Sequence, residues 1–329
     1  MTFQVTESTL SAFDLGKFIH AKYDLSPDTN CKLFRTGMNH SYHVSDGQNK
    51  FILRIYTLNW RTRTEISEEL RLLNHLKQHS IDVAQPIADR EGHFIQDITA
   101  PEGLRYGVLF SFAEGKKISK FSATTSYHIG RTMARMHEVT ENYELNRVTY
   151  NSKTLLTDSL IHTKSFFPNT SEEMDFVESA THYLKTAFEK IKLQDVRLGA
   201  IHLDIRFDNM HLNGEEKITI FDFDFCGNGW LCNDIAYFMF QLYNTNQGDN
   251  EYLQKVESFL KGYGEIRRIS DEEKRIIPLA GIAIFLFYLG IQCATFDTWS
   301  NIFLNDDHLK RFVGTIKRWA DYNHVKIRT

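Results

Sequence analysis

Apolar and polar positions follow two different periods along the chain, and the change from one to the other divides it. Near the N-terminus, Ser8 to Lys22 fits an amphipathic helix, and then short runs rich in β-branched and aromatic residues take over: Lys32 to Thr36, Ser41 to Ser45 and Phe51 to Tyr56. Gly37 and the pair Asp46-Gly47 separate these runs, and Asp-Gly between two strand-like segments signals a tight hairpin, so the pattern predicts an antiparallel meander. Arg63 to Gln78 places Ile66, Leu70, Leu73 and Leu76 on one helical face. Two further strands are predicted at Gly92 to Gln96 and Arg105 to Phe112. Strands, one main helix, then strands again describe a small α+β domain over residues 1–113, with the helix on an antiparallel sheet.

Beyond Ala113-Glu114-Gly115 the periodicity becomes helical, as in Tyr127 to Glu138, Glu172 to Lys192 and Asn233 to Tyr243. One interruption is expected, where Met210 to Leu212 and Lys217 to Phe221 read as short strands joined by Asn213-Gly214. Ile276 to Phe296 runs 21 residues without a charge, long enough to cross a bilayer. It contains Pro278, Gly281, Gly290 and Gln292 and has no companion elsewhere, so the expectation is a buried core helix. The second domain, residues 114–329, is thus predicted to be larger and mainly helical.

Composition narrows the class. With 42% hydrophobic and 13% aromatic residues the chain buries enough apolar surface to fold, which excludes a disordered protein. A net charge of −4 and a pI near 6.4 offer no general attraction for nucleic acid or an anionic membrane. Cys31, Cys226, Cys232 and Cys293 are scattered without a Cys-x-x-Cys pair, which argues against a zinc knuckle or a disulfide framework. The first residues lack a basic and apolar leader, and the expected location is cytoplasmic.

Candidate chemistry gathers at the strand-like interruption, in His202-Leu203-Asp204-Ile205-Arg206-Phe207-Asp208-Asn209 and in Asp222-Phe223-Asp224 after the second strand. A carboxylate, a carboxamide and a further carboxylate at a strand end suit a hard cation such as Mg²⁺, which takes oxygen ligands. Phosphoryl transfer needs such a site together with an Asp that orients the attacking hydroxyl and accepts its proton.

His202-x-Asp204-x₄-Asn209 followed by Asp222 resembles the catalytic loop and metal-binding Asp of the protein-kinase-like small-molecule phosphotransferases, the superfamily of aminoglycoside phosphotransferases, choline kinases and type II homoserine kinases. HLDIRFDNMHL and ITIFDFDFCGNGWLCNDIAYF are most similar to the homoserine-kinase branch. TGMNHSYHV, FILRIY, EELRLLNHL, LFSFAEG and GRTMARMH resemble, in order, the hairpin over the phosphates, the strand with the basic phosphate partner, the helix with its Glu, the adenine-holding hinge and the first long helix of the larger lobe. The resemblance implies a two-lobed protein-kinase-like fold using ATP and Mg²⁺ and a small-molecule hydroxyl acceptor. It implies Asp204 as catalytic base, Asn209 and Asp222 as metal ligands with Asp224 as a further candidate, and Arg54 on the nucleotide phosphates paired with Glu69. Gly37 would lie over the phosphates, and Ser111, Phe112 and Ala113 would hold adenine. Two departures stand out: Leu203 replaces the Gly usual after the His, and Arg54 replaces the more familiar Lys.

The acceptor is expected in the helical domain, where Phe285, Phe287, Tyr288 and Phe296 lie along the apolar helix and Asp297, Trp299, Asp306 and Asp307 beyond it; carboxylates with aromatics would suit an amine. Two alternatives compete with a kinase. ITIFDFDF also resembles the nucleophile strand of haloacid-dehalogenase-type phosphatases, with Asp222 phosphorylated and Asp224 as acid/base. A kinase-shaped module that binds nucleotide without turnover is the other.

Overall fold

The computed structural model describes residues 3–118, 122–214, 216–246, 250–295 and 303–328. The chain forms two compact units, with the division after Glu114.

The first unit opens with helix α1 (Ala12–Lys22), capped by Ser11, and strands β1 (Asn30–Arg35), β2 (Asn39–Ser45) and β3 (Lys50–Tyr56). Helix α2 (Arg63–Gln78) follows, then β4 (Pro86–Ile87), β5 (Ile95–Ala100) and β6 (Gly103–Ser111). The strands join antiparallel in the order β1-β2-β3-β6-β4, with β5 also paired to β6. Alternation along β2 and β3 sends Tyr42, Val44, Leu53 and Ile55 into a core completed by Leu15, Ile19 and Tyr23 of α1 and its C-terminal flank. Thr62 and Glu65 form a reciprocal capping box that fixes where α2 begins. The strand expected at Gly92 begins instead at Ile95. Asp89 Oδ1 accepts the Glu91 and His93 backbone N–H groups, and Gly92 sits at φ 86°, so Asp89 to His93 is a tight turn rather than extended chain.

The second unit starts with the short strand β7 (Lys116–Lys117) and helix α3 (Ala123–Thr140). A π-helical turn, Lys153–Asp158, leads into α4 (Ser159–Phe166) and then α5 (Glu172–Phe188). Strands β8 (Leu198–Ile201), β9 (Met210–Asn213), β10 (Lys217–Ile220) and β11 (Gly227–Trp230) come next, followed by helices α6 (Cys232–Asn246), α7 (Asn250–Gly264), α8 (Asp271–Ala294) and α9 (Asp306–Tyr322). Helices α3 and α7 cross almost backbone to backbone. A Cβ at Gly130 would stand 2.1 Å from the Phe259 carbonyl oxygen, and one at Gly262 2.1 Å from that of Tyr127, so both positions exclude any side chain.

Helix α8 contains the charge-free run. Its length and composition would allow it to cross a membrane, but 78% of its most apolar window is buried inside the protein, as a core helix requires. Pro278 interrupts the backbone hydrogen-bond ladder of this helix, and its carbonyl oxygen accepts the indole N–H of the fully buried Trp319 at 2.9 Å. The architecture is therefore α+β, an antiparallel sheet followed by a mainly helical unit.

Candidate active site

Two short antiparallel pairs bring the polar segments together. β8 pairs with β11, matching Ile201 to Gly227, and β9 pairs with β10, matching Met210 to Ile220. The loop that leaves β8 for β9 and the loop that leaves β10 for β11 therefore spring from adjacent strand ends. One carries residues 202–209, the other residues 221–226. Pairing of distant strands, rather than sequence proximity, makes the site.

Asp204 lies at its centre. Asn209 Nδ2 donates to Asp204 Oδ2 at 2.8 Å and to the Asp204 carbonyl oxygen at 2.9 Å, and Tyr237 donates its hydroxyl to Oδ1 at 3.0 Å. Burial holds the Asp204 carboxyl above the usual range; the Arg206 guanidinium opposes this and the neighbouring Asp222 carboxylate adds to it. Arg206 and Lys117 both bond Asp208, at 2.7 Å each. Burial pushes the Asp208 carboxyl up, but these two partners outweigh it and leave the group below its ordinary range.

His202 holds the loops together. Its Nδ1 accepts the Asp204 backbone N–H at 3.2 Å, which leaves Nε2 to donate to the Phe221 carbonyl oxygen at 3.1 Å, so the ring ties one loop to the other. The Phe221 N–H in turn donates to the Asn209 carbonyl oxygen at 3.0 Å. Asp222 follows directly in a left-handed conformation, φ 66°, which Asp adopts more readily than most residues, and Asp224 lies two residues on, buried in a tight turn.

Leu203 also has a left-handed backbone, at φ 62°. This accounts for the glycine usual at that position, since a residue with a Cβ gives up about 1–2 kcal/mol there. The leucine is fully buried, and that burial offsets the strain. Leu203→Ala retains the strain and loses the side chain, for an expected loss of about 2–5 kcal/mol. Leu203→Gly recovers about 1–2 kcal/mol of it by relieving the backbone. The smaller residue is therefore the milder change, which urea unfolding of the two variants would show.

Sequence reasoning missed the group that holds this backbone. Asp234, fully buried at the start of α6, accepts the His202 N–H at 3.0 Å and the Leu203 N–H at 2.7 Å. His137 Nε2 lies 3.1 Å from the same carboxylate, and His137 Nδ1 lies 2.8 Å from the Tyr263 hydroxyl. The available signal was an acidic residue, beside Asn233, in the first turn of a helix whose next residues, Ile235 to Phe240, are apolar or aromatic. Tyr237, one turn further along the same helix, was missed too.

The first unit carries the other predicted residues. Arg54 on β3 meets Glu69 of α2 at 2.8 Å, and Tyr56, on the same face of β3, donates to the second oxygen of Glu69 at 3.0 Å. The pair is buried, so each charge depends on the other. The Arg54 guanidinium also lies 5.0 Å from the Phe110 ring centre, within cation–π range. Gly37 has an ordinary φ, with the nearest atom to a built Cβ at 3.9 Å, so the chain itself makes no demand for glycine there. The N–H groups of Ser111 and Phe112 already donate, to the Gln85 and Lys50 carbonyl oxygens.

On the acceptor side, Phe285 and Phe287 are core residues and Tyr288 stands beside Tyr237. Asp306 and Asp307 are exposed in the first turn of α9, where they complement the helix dipole. Phe296, Asp297 and Trp299 lie outside the described residues. The phosphatase alternative fails on topology: the strand before Asp222 is one arm of an antiparallel hairpin, whereas a nucleophile strand of that class belongs to a doubly wound sheet.

The profile of the phosphotransferase enzyme family matches residues 31–269. An uncharacterized protein of Synechocystis sp. is 29% identical over 92% of this chain and 84% of its own length, and a homoserine kinase of Bradyrhizobium diazoefficiens is 24% identical over 82% and 80%. Among solved structures, an amicoumacin kinase in complex with AMP-PNP, Ca²⁺ and Ami superposes with a TM-score of 0.76, covering 94% of this chain and 93% of that one at 21% identity. That likeness shows the protein-kinase-like α+β fold.

Proposed function

The chain belongs to the phosphotransferase enzyme family, and we propose that within it this protein moves the γ-phosphoryl group of ATP, with Mg²⁺, to a hydroxyl of a small molecule. The observation that carries the reading is the Asp204 carboxylate, held by Asn209 and within electrostatic reach of Asp222. Asp204 orients the acceptor hydroxyl and takes its proton as the new oxygen–phosphorus bond forms. The bond from the γ-phosphorus to the bridging oxygen breaks, and ADP leaves with that electron pair.

The donor set fits a hard cation. Asn209 spends its amide nitrogen on Asp204, so its oxygen is the end it can offer, and Asp222 adds a carboxylate one residue beyond the backbone bond that joins the two loops. Bound there, Mg²⁺ would neutralise phosphate charge as the bond to the leaving oxygen breaks. Asp224 is the candidate for a further oxygen. In the first unit, Arg54 would meet the nucleotide phosphates with Glu69 as its counter-charge. The undemanding surroundings of Gly37 suit a backbone that a ligand approaches closely. With the Ser111 and Phe112 donors in use, their share in holding adenine would come from carbonyl oxygens and the Phe112 ring.

A thermal-shift titration with ATP and Mg²⁺ separately and together, followed by ADP release across a panel of alcohols, tests the reading. Stabilisation that requires both, with turnover on a panel member, is the expected result. Absence of any shift with nucleotide would leave a kinase-shaped module without this activity.

A further inference from the structure

Asp234 ends a longer chain of buried bonds. His137 Nε2 lies against its carboxylate and His137 Nδ1 against the Tyr263 hydroxyl, and Tyr263 in turn accepts from Arg197 Nη2 at 3.3 Å. Glu273, in the first turn of α8, closes the far end: its oxygens accept from Arg197 Nε at 2.8 Å and from Nη2 at 3.0 Å. Tyr263, His137, Asp234 and Glu273 are all wholly buried.

The direction of each bond follows from its two ends. A guanidinium can only donate, and Asp234, which takes the His202 and Leu203 N–H groups, acts as an acceptor. Burial pushes the Tyr263 hydroxyl up from its ordinary range, against the opposing Arg197 charge, so Tyr263 keeps a proton to give. With Arg197 donating to its oxygen, Tyr263 gives that proton to His137 Nδ1, and His137 carries its own on Nε2, facing Asp234. Donors thus run head to tail from Arg197 through Tyr263 and His137 to Asp234. A cation stands at the donor end and a carboxylate at the acceptor end, an order in which each bond polarises the next. The other His137 tautomer would put two donors face to face at Tyr263 and a bare lone pair against the carboxylate.

The same chain brackets one strand. Arg197 directly precedes β8, and His202 and Leu203, whose N–H groups Asp234 holds, directly follow it. β8 is therefore gripped at both ends by one network, and Asp204 hangs from the second grip.

We propose that Tyr263, backed by the Arg197–Glu273 pair, is a positioning residue for Asp204: it fixes the His137 tautomer that seats Asp234, and through Asp234 it sets the aim of the catalytic loop. It does so from α7, outside both loops that carry the chemistry. The role in the reaction rests on the kinase reading above; the bond chain does not.

Two measurements test it. In protein carrying ¹⁵N-labelled histidine, the His137 ring, assigned by the signals missing from His137→Gln, should show a protonated Nε2 and a bare Nδ1, and Tyr263→Phe should shift the Nδ1 signal. With MgATP and a productive alcohol, Tyr263→Phe should lower kcat by about ten- to a hundredfold, the scale of a slightly misplaced catalytic group, and leave KM for ATP in place. Combined with Asp234→Asn, the same change should lower kcat by less than about twofold more, because both act on one path. Tyr252→Phe, at a buried tyrosine of the same helix outside the chain, should leave kcat unchanged.

Unchanged kcat in Tyr263→Phe would overturn the proposal, as would a fully additive loss on top of Asp234→Asn or an equal loss in Tyr252→Phe, either of which marks a general loss of stability. A wild-type His137 ring protonated at Nδ1, with normal turnover, would defeat the bond chain and leave the kinase reading intact. The expected ring in a wild type that phosphorylates no alcohol would defeat the kinase reading, and the positioning role with it, while the chain stood.

Discussion

Asp204→Asn is expected to reduce phosphoryl transfer by about 10²–10⁴-fold, the usual contribution of a positioned proton acceptor. The replacement has the same shape and retains one side-chain oxygen, so Asn209 and Tyr237 can still be accommodated and the fold should persist. Only the capacity to accept the acceptor's proton is lost. ADP release with a productive alcohol, measured beside the thermal midpoint of the same preparation, separates loss of chemistry from loss of structure. Wild-type turnover in the variant would remove Asp204 from the mechanism.

Asp234 carries the second large effect, for a different reason. Its carboxylate receives two consecutive backbone N–H groups, from His202 and Leu203, and lies against His137, all out of contact with water. Asp234→Ala leaves these groups without a partner, and each buried, unmade bond costs about 1–3 kcal/mol. The sum is a large part of the roughly 5–15 kcal/mol that keeps a typical domain folded. The variant should therefore unfold at markedly lower urea concentration or fail to fold. Asp234→Asn retains one acceptor oxygen and turns an N–H₂ toward a backbone donor. It should fold with reduced stability, about 2–4 kcal/mol below wild type, combining a lost charged acceptor with a donor left facing a donor. Its activity should also fall, because the left-handed turn at Leu203 that aims Asp204 is no longer held from behind. An Asp234→Asn protein with wild-type stability and turnover would contradict this account.

What could be read in advance follows from how local each signal is. The Asp46-Gly47 hairpin, the face of α2 and the buried character of α8 are written within short windows, and the structure has them. So is the order His202, Asp204, Asn209, Asp222, because order and spacing along the chain are sequence properties. The Asp89 turn misled because its Gly92 can belong equally to a strand start or to a turn, and only the Asp89 side chain, bonding the backbone ahead of it, decides. The groups that hold the site were illegible for a further reason. Asp234 reaches back 32 positions to His202, and Tyr237 33 positions to Asp204, so nothing in either neighbourhood records the partner. Leu203 shows the same limit from the other side: its departure from glycine looks like damage until its burial is known.

The hairpin of β9 and β10 has its two ends assigned to different tasks. Its open end feeds both polar loops, while its closed end turns at Gly214, which has a left-handed φ of 70° and no neighbour within 4 Å of a built Cβ. Four paired residues at about 3.3 Å each keep that turn some 13 Å from Asn209. The turn is thus a ready attachment point, where a dye or a short peptide tag inserted after Gly214 would report on the protein without entering its chemistry.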